Sequence, residues 1–280
     1  MKQLLCAAAL ALGLSAPDLA AGGPAASPFP SPPTPGVRAY VYQVVEAANG
    51  KTRQGYRTGF DLETSPDGAI DAVVRTAEET ADGEIWRPVE ASEACKAAMH
   101  APVGAVARVR LWPITEDVAR TLGPTFLDTC APGGVFYPLT DILNVVIIPL
   151  SPRFEVAALH RQGDRAHYDG FTARFDRAGQ NFEETSHGGE VSLPVLSGGK
   201  AVVDWAPAPA DLAIGQTVNG QPIQLTGTEH WAFRVTLDAA TGALMDAHTD
   251  YDDLDLVARL PNVSAGIPQK ISRTVTITPR

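Results

Sequence analysis

Four residues at alternate positions of one segment have side chains that bind metal ions: Asp246, His248, Asp250 and Asp252. In a regular β-strand alternate side chains point from the same face, so this spacing would bring all four together. Carboxylate oxygens suit hard cations, and the imidazole of His248 would add a nitrogen ligand for zinc or another transition metal. The segment lacks the glycine and the distal glutamate of a calcium-binding loop.

An acidic, solvated strand face is the simpler interpretation of the same residues, because the whole chain is acidic, with a formal charge of −10. We favour the solvated face. The alternative is a secreted, metal-dependent hydrolase that uses Asp246, His248 and Asp250.

Other catalytic patterns are missing from the sequence. It has no Gly-x-Ser-x-Gly elbow, which presents the nucleophile of many serine hydrolases. Its histidines show neither His-x-x-x-His nor His-Glu-x-x-His spacing, so no zinc helix is predicted. We therefore assign no catalytic residue and expect no cofactor.

Several aromatic residues lie in segments with the alternating pattern of strands, where they would line an apolar pocket or simply fill the core. As candidate ligand-binding residues we take Tyr40, Tyr42, Trp231, Phe233 and Tyr251.

The first 21 residues have the order of an export signal. Lys2 supplies a positive charge, residues 4 to 14 are apolar, and small residues follow at Ala16, Ala20 and Ala21. The apolar run is shorter than the about 20 residues that a membrane-spanning helix needs. We therefore predict a cleaved signal peptide at residues 1–21, a periplasmic or secreted protein, and no transmembrane segment after cleavage.

Charge and cysteine content limit the partners and the chemistry. A negative chain without a basic run is a poor match for nucleic acid, which binds clustered Lys and Arg. Only Cys95 and Cys130 follow the signal peptide, and an oxidising compartment would join them in a disulfide. Closing that loop would stabilise the fold by roughly 3 to 4 kcal/mol.

Alternating apolar residues predict strands at both ends of the chain. Residues 22–36 are rich in proline and predict a disordered linker. Residues 37–80 then read as a three-stranded meander with a tight turn at Asn49-Gly50. A second hairpin turns near Gly242, and the chain ends in another strand.

The stretch between these β regions predicts helices. Ser92 is placed to cap a short helix, and Thr115 begins a second one. In the apolar run from 138 to 150 the β-branched residues favour a strand, whereas Thr140 and Asp141 favour a helix start; we predict a buried helix.

The predicted fold class is α+β. A large, twisted, mostly antiparallel β-sheet, with meanders at both ends of the chain, has a helical insertion at about 90–150 packed on one face. Residues 37–280 form a single domain in this prediction. Its layout is similar in outline to the periplasmic carriers of lipoproteins and lipids, in which a curved sheet holds an apolar ligand against helices.

That layout and the export signal favour a non-enzymatic binding or carrier-like protein. Its partner would be an apolar or amphipathic small molecule, held near residues 142–148, or a component of the cell envelope. A structural or interaction module of the envelope is a further alternative.

Overall fold

One large antiparallel sheet dominates the structure. The structure is a computed structural model and describes residues 29–113, 136–177, 180–218, 221–261, 263 and 265–280. In this part of the chain fourteen strands join in one sheet, and every strand pairing is antiparallel. The predicted large, mostly antiparallel sheet is confirmed.

Within the described residues, the first half of the chain supplies a smaller share of the strands and the two α-helices. Its strands are β1 Gly36–Ala48, β2 Lys51–Thr64, β3 Ile70–Thr80, β4 Arg87–Pro88 and β5 Ala107–Trp112. Its helices are α1 Glu93–Ala98 and α2 Phe136–Ile147, and two short 3-10 turns follow at Pro152–Phe154 and Val156–Ala158.

The second half is almost entirely β-structure. Its strands are β6 Arg165–Tyr168, β7 Phe171–Arg177, β8 Gln180–Ser186, β9 Gly189–Ser197, β10 Lys200–Pro207, β11 Ala210–Val218, β12 Gln221–Asp238, β13 Leu244–Arg259 and β14 Ile267–Pro279.

The two ends of the chain meet in the middle of the sheet. The strand order is β4-β3-β2-β1-β14-β13-β12-β10-β9-β6, so the N-terminal meander joins the C-terminal strands through β1 and β14. β12 is long enough to pair with β11 along its first half and with β10 along its second half. β8 continues the sheet from β11, and β7 pairs with β8.

The predicted hairpin at Asn49-Gly50 is confirmed. Ala48 pairs with Lys51 across a two-residue turn in which both central residues have positive φ, 51° at Asn49 and 76° at Gly50. Asn and Gly tolerate this left-handed backbone, whose twist matches that of the flanking strands.

The helical insertion is less regular than predicted. The Ser92 side chain caps α1 by accepting a hydrogen bond from the Cys95 amide at 3.1 Å. β5 then returns to the sheet beside β3. The helix predicted to begin at Thr115 and the cysteine Cys130 lie outside the described residues, so the disulfide between Cys95 and Cys130 stays a prediction.

α2 lies against the inward face of the sheet, near β1, β2 and β5. Seven apolar side chains on this helix and just beyond it are almost completely buried: Leu139, Ile142, Leu143, Val145, Val146, Ile147 and Ile148. A sequence this apolar gains more from burial on all sides than its β-branched residues lose in helix propensity. Among the described residues, no helix has the length and apolar character needed to cross a membrane.

A band of buried polar residues divides the inward face into two apolar cores. The larger core contains α2 and residues such as Val44 and Val275, and the smaller one contains Ala48 and Ile271. On β1 the residue between the two cores is Glu46, which is 1% exposed. The inward face therefore carries charge where a sheet normally carries hydrophobic residues.

The predicted linker is packed at its C-terminal end. Residues 22–28 lie outside the described part of the chain, but Phe29 is buried in the larger core. The Thr34 amide donates a 2.8 Å hydrogen bond to the Thr241 carbonyl. An aromatic side chain and a backbone hydrogen bond therefore hold the last residues of the segment predicted as a linker, residues 22–36, to the sheet.

Replacing Ile142 with alanine should lower the free energy of unfolding by about 2 to 5 kcal/mol, because the side chain is fully buried and would leave a cavity. Urea unfolding measures the change. The matched control is Val257→Ala on β13, where 37% of the residue is exposed and the loss should stay within about 0.5 kcal/mol. Equal losses in both variants would contradict the packing of α2 against the sheet.

Candidate functional site

A buried arginine connects α2 to the sheet. Arg273 on β14 donates to Asp141 of α2 at 2.9 Å and forms an ion pair with Asp252 of β13 at 3.0 Å. Glu46, directly opposite on β1, lies 3.6 Å from the guanidinium. All four side chains are less than 10% exposed. A charge this deeply buried needs such partners, because leaving water is costly for each ion.

Two neighbours fix the positions of these carboxylates. The Tyr42 hydroxyl donates a 2.5 Å hydrogen bond to Oδ2 of Asp141 on α2, the same oxygen that Arg273 contacts. The Gln54 amide donates to Glu46. Tyr42 was a candidate ligand-binding residue, and the structure instead gives it this buried hydrogen bond.

A cavity opens beside the arginine, and we call it the acidic cavity. It has a volume of about 40 Å³ and is lined by Asp141, Asn144, Glu184, Glu229, Asp252 and Arg273, together with several aromatic residues. Such a volume holds roughly two or three water-sized groups. Because α2 supplies one wall and strands that include β7, β8, β10, β12, β13 and β14 supply the others, the sheet and the helix form it together.

Two carboxyl groups in the acidic cavity have no direct partner. Glu184 on β8 and Glu229 on β12 are 7% and 6% exposed, and within the described part of the chain neither forms a hydrogen bond or an ion pair. Oδ1 of Asp252 also lacks a hydrogen-bond partner there, as do Oδ1 of Asn144 and Nε1 of Trp205. The cavity therefore presents several acceptors together with two donors, Nε1 of Trp205 and the Tyr168 hydroxyl, which likewise lacks a partner in the described part of the chain.

Burial changes the protonation of these carboxyl groups. It raises the pKa of Glu184 to about 8. Burial, with the nearby charges of Asp252 and Glu184, raises the pKa of Glu229 well above its ordinary value. The pKa of Asp252 is raised to about 7 because burial outweighs the opposing effect of Arg273. Glu184 and Glu229 are thus mostly protonated at neutral pH.

Arg273 keeps its charge in this environment. Burial alone lowers the pKa of its guanidinium, but Asp141 and Asp252 outweigh that effect, and the pKa lies well above its ordinary value.

Aromatic side chains form the remaining wall of the acidic cavity. The rings of Trp205 and Trp231 meet edge to face with centroids 4.3 Å apart, and Phe233 follows Trp231 at 6.4 Å. Phe171 on β7 also lines the cavity and is only partly buried. The predicted binding residues Trp231 and Phe233 therefore lie beside the buried carboxyl groups.

The other two predicted binding residues lie elsewhere. Tyr40 donates to the Leu244 carbonyl at 2.7 Å and lines a second, apolar cavity of about 40 Å³ beside Val145 and Val146 of α2. Tyr251 is 48% exposed and lines neither cavity.

The four residues of the predicted metal site do not share one face. β13 carries one extra residue at Asp250, since Phe233 pairs with Thr249 whereas Ala232 pairs with Tyr251. This β-bulge reverses the alternation beyond it. Asp252 consequently points inward to Arg273.

Asp246, His248 and Asp250 stay together on the other face. The His248 ring lies 3.8 Å from Asp246 and 3.5 Å from Asp250, and the Arg234 guanidinium is 3.7 Å from the Asp250 carboxylate. Across the described residues, no group of three or more His, Cys, Asp or Glu side chains has the geometry of a metal site.

Apart from Asp252, the charged residues at the centre of the site were not candidates on sequence grounds. Glu184 follows another glutamate, Arg273 alternates with apolar residues on a terminal strand, and Asp141 reads as a helix-capping residue. Glu46 and Arg273 each occupy an inward-facing position of a strand whose other inward-facing residues are apolar. This alternation was the one sign in the sequence that a charged residue lies in the core.

Replacing Arg273 with methionine should destabilise the fold by about 3 to 5 kcal/mol, because the buried carboxylates would lose their cation. Thermal and urea unfolding measure the loss. Arg165→Met is the matched control, since Arg165 is 69% exposed in its ion pair with Glu190 and its loss should cost at most about 1 kcal/mol. Equal stability of the two variants would show that Arg273 does not hold the site together.

Glu184 should make stability depend on pH. Its folded pKa is about 8 against an ordinary 4.5, so between these values the folded state holds a proton that the unfolded chain has released. The free energy of unfolding therefore falls as the pH rises from 4.5 to about 8, because the unfolded chain releases this proton first. Glu184→Gln should stabilise the protein at about pH 8 and have a smaller effect at about pH 5.

Urea unfolding of the wild type and the variant at both pH values measures this difference. The exposed Glu79→Gln variant is the control and should show no such difference. A Glu184→Gln effect that is the same at both pH values would contradict the buried, protonated carboxyl.

Comparisons with known proteins give no family for this chain. No protein-family model matches it, and no curated protein has a significantly similar sequence.

Proposed function

We propose that this chain is an exported, non-enzymatic binding protein of the periplasm or cell envelope that holds a small amphipathic ligand in the acidic cavity. Export is part of this proposal and rests on the signal sequence at residues 1–21. The site rests on one observation: Glu184 and Glu229 are buried beside aromatic rings, and neither has a direct partner among the described residues.

A buried, unpartnered carboxyl group lowers the stability of a fold. Its desolvation costs free energy that no hydrogen bond within the protein returns. Two such groups in one cavity are therefore more easily explained by a ligand that bonds to them than by packing. Natural proteins break the rules of core design mainly where function requires it.

The composition of the cavity wall supports an amphipathic ligand. Carboxyl oxygens on one side offer hydrogen bonds, and Trp205, Trp231 and Phe233 on the other offer apolar surface. A cavity of about 40 Å³ encloses only the end of such a molecule, so the rest would extend past Phe171.

A binding role is favoured over the metal-dependent hydrolase. The bulge at Asp250 turns Asp252 away from Asp246 and His248, and the cationic Arg234 already lies beside Asp250. A structural module without a ligand is the remaining alternative, and the experiment below separates it from a binding protein.

Native mass spectrometry of the full protein from its natural compartment should detect a retained small molecule. Phe171→Ala should lower the bound fraction by weakening affinity about three- to tenfold, because one aromatic contact at the rim of the cavity is lost. Tyr251→Ala is the matched control and should retain the ligand, since Tyr251 lies outside the cavity.

Two outcomes would contradict the proposal. A protein free of any small molecule would favour the structural module. A ligand lost equally from both variants would place the binding site elsewhere.

A further inference from the structure

We propose that the ligand group held in the acidic cavity is an organic ammonium ion, with its N–H groups directed at Glu184, Glu229 and Asp252. This inference rests on the proposed function and specifies the chemistry of the same site.

Several carboxyl and amide oxygens face the cavity. Oδ1 of Asp252 and Oδ1 of Asn144 lack hydrogen-bond partners within the described part of the chain, and the carboxyl groups of Glu184 and Glu229 face the same space. An alkylammonium group carries up to three N–H donors and no acceptor. It would satisfy several of these oxygens at once.

The aromatic wall points to the same ligand. The faces of tryptophan and phenylalanine rings attract cations, and aromatic residues beside carboxylates are a common way to bind ammonium groups. Trp205 and Trp231 lie in contact beside the carboxyl groups, with their centroids 4.3 Å apart. The cavity also has room for roughly two or three heavy atoms, the size of an aminomethyl group.

The charge balance of the site favours a cation over an anion. Among the described residues that line the cavity, Arg273 is the buried cation, and it already has Asp141 and Asp252 within 3.0 Å, with Glu46 close by. Additional negative charge would meet these carboxylates. A positive ligand would instead allow Glu184 and Glu229 to ionise.

Cation binding should therefore release protons. Burial holds the pKa of Glu184 at about 8, so much of this carboxyl is protonated before the ligand arrives. An ammonium ion in contact with it favours the ionised form. The proton goes to the buffer, and the measured heat of binding depends on the ionisation heat of that buffer.

Isothermal titration calorimetry with the full protein at about pH 8 tests this inference, with benzylammonium as the probe. Benzyl alcohol is the neutral probe of the same shape, and sodium chloride keeps the ionic strength equal. We expect benzylammonium to bind, benzyl alcohol to bind much more weakly, and the heat of benzylammonium binding to differ between two buffers.

Variants locate the bound cation. Glu184→Gln and Glu229→Gln should each weaken benzylammonium binding about ten- to hundredfold, the range for losing a hydrogen bond to a charged group. Both keep the size of the side chain and remove a buried ionisable group, so both should fold. Glu79→Gln is the exposed control and should bind like the wild type.

Each contrary result has a distinct meaning. Equal binding of the ammonium and the alcohol would overturn the cation specificity and leave the proposed binding function standing. Binding unchanged in Glu184→Gln and Glu229→Gln would place the cation outside the acidic cavity and overturn the inference. Failure of both probes, in a protein that also retains no small molecule by mass spectrometry, would overturn the inference and the proposed function together.

Discussion

The buried guanidinium of Arg273 is the interaction on which the site and the helix position depend. It holds Asp141 on α2 and Asp252 on β13 at hydrogen-bonding distance and lies opposite Glu46 on β1. Three strands and one helix are thereby joined at one point between two apolar cores. Hydrophobic packing holds α2 against the sheet. The directional contacts of the charged groups fix the position of the helix along the sheet.

Local patterns in the sequence predicted the strands well, because alternation and turn chemistry depend on neighbouring residues. Asn49-Gly50 formed its hairpin, and the alternating runs around Trp231 and Phe233 formed strands with both rings facing inward. The single extra residue at Asp250 was not visible, since a bulge depends on how partner strands align. This one extra residue places the side chains of Asp252 and His248 on opposite faces of β13.

The candidate site depends on long-range contacts, which no local pattern encodes. Glu46 and Arg273 are more than two hundred residues apart in the sequence and directly opposite in the sheet. Glu184 enters the cavity only because β8 pairs with β11 and β11 with β12. Some of the aromatic residues of the site were predicted, because large apolar rings are usually buried. A charged residue is expected at the surface unless its partners are known.

The central place of β14 has a consequence for how the chain reaches this fold. β14 lies between β1 and β13, so a strand that is synthesised long after β1 completes the middle of the sheet. Until it arrives, β1 has an open edge and the N-terminal meander lacks its neighbour. Such sequence-distant pairing forms slowly, because a long loop must close first. The sheet can therefore form its centre only after β14 has been synthesised, and in any earlier state of the chain β1 and β13 lack their shared neighbour.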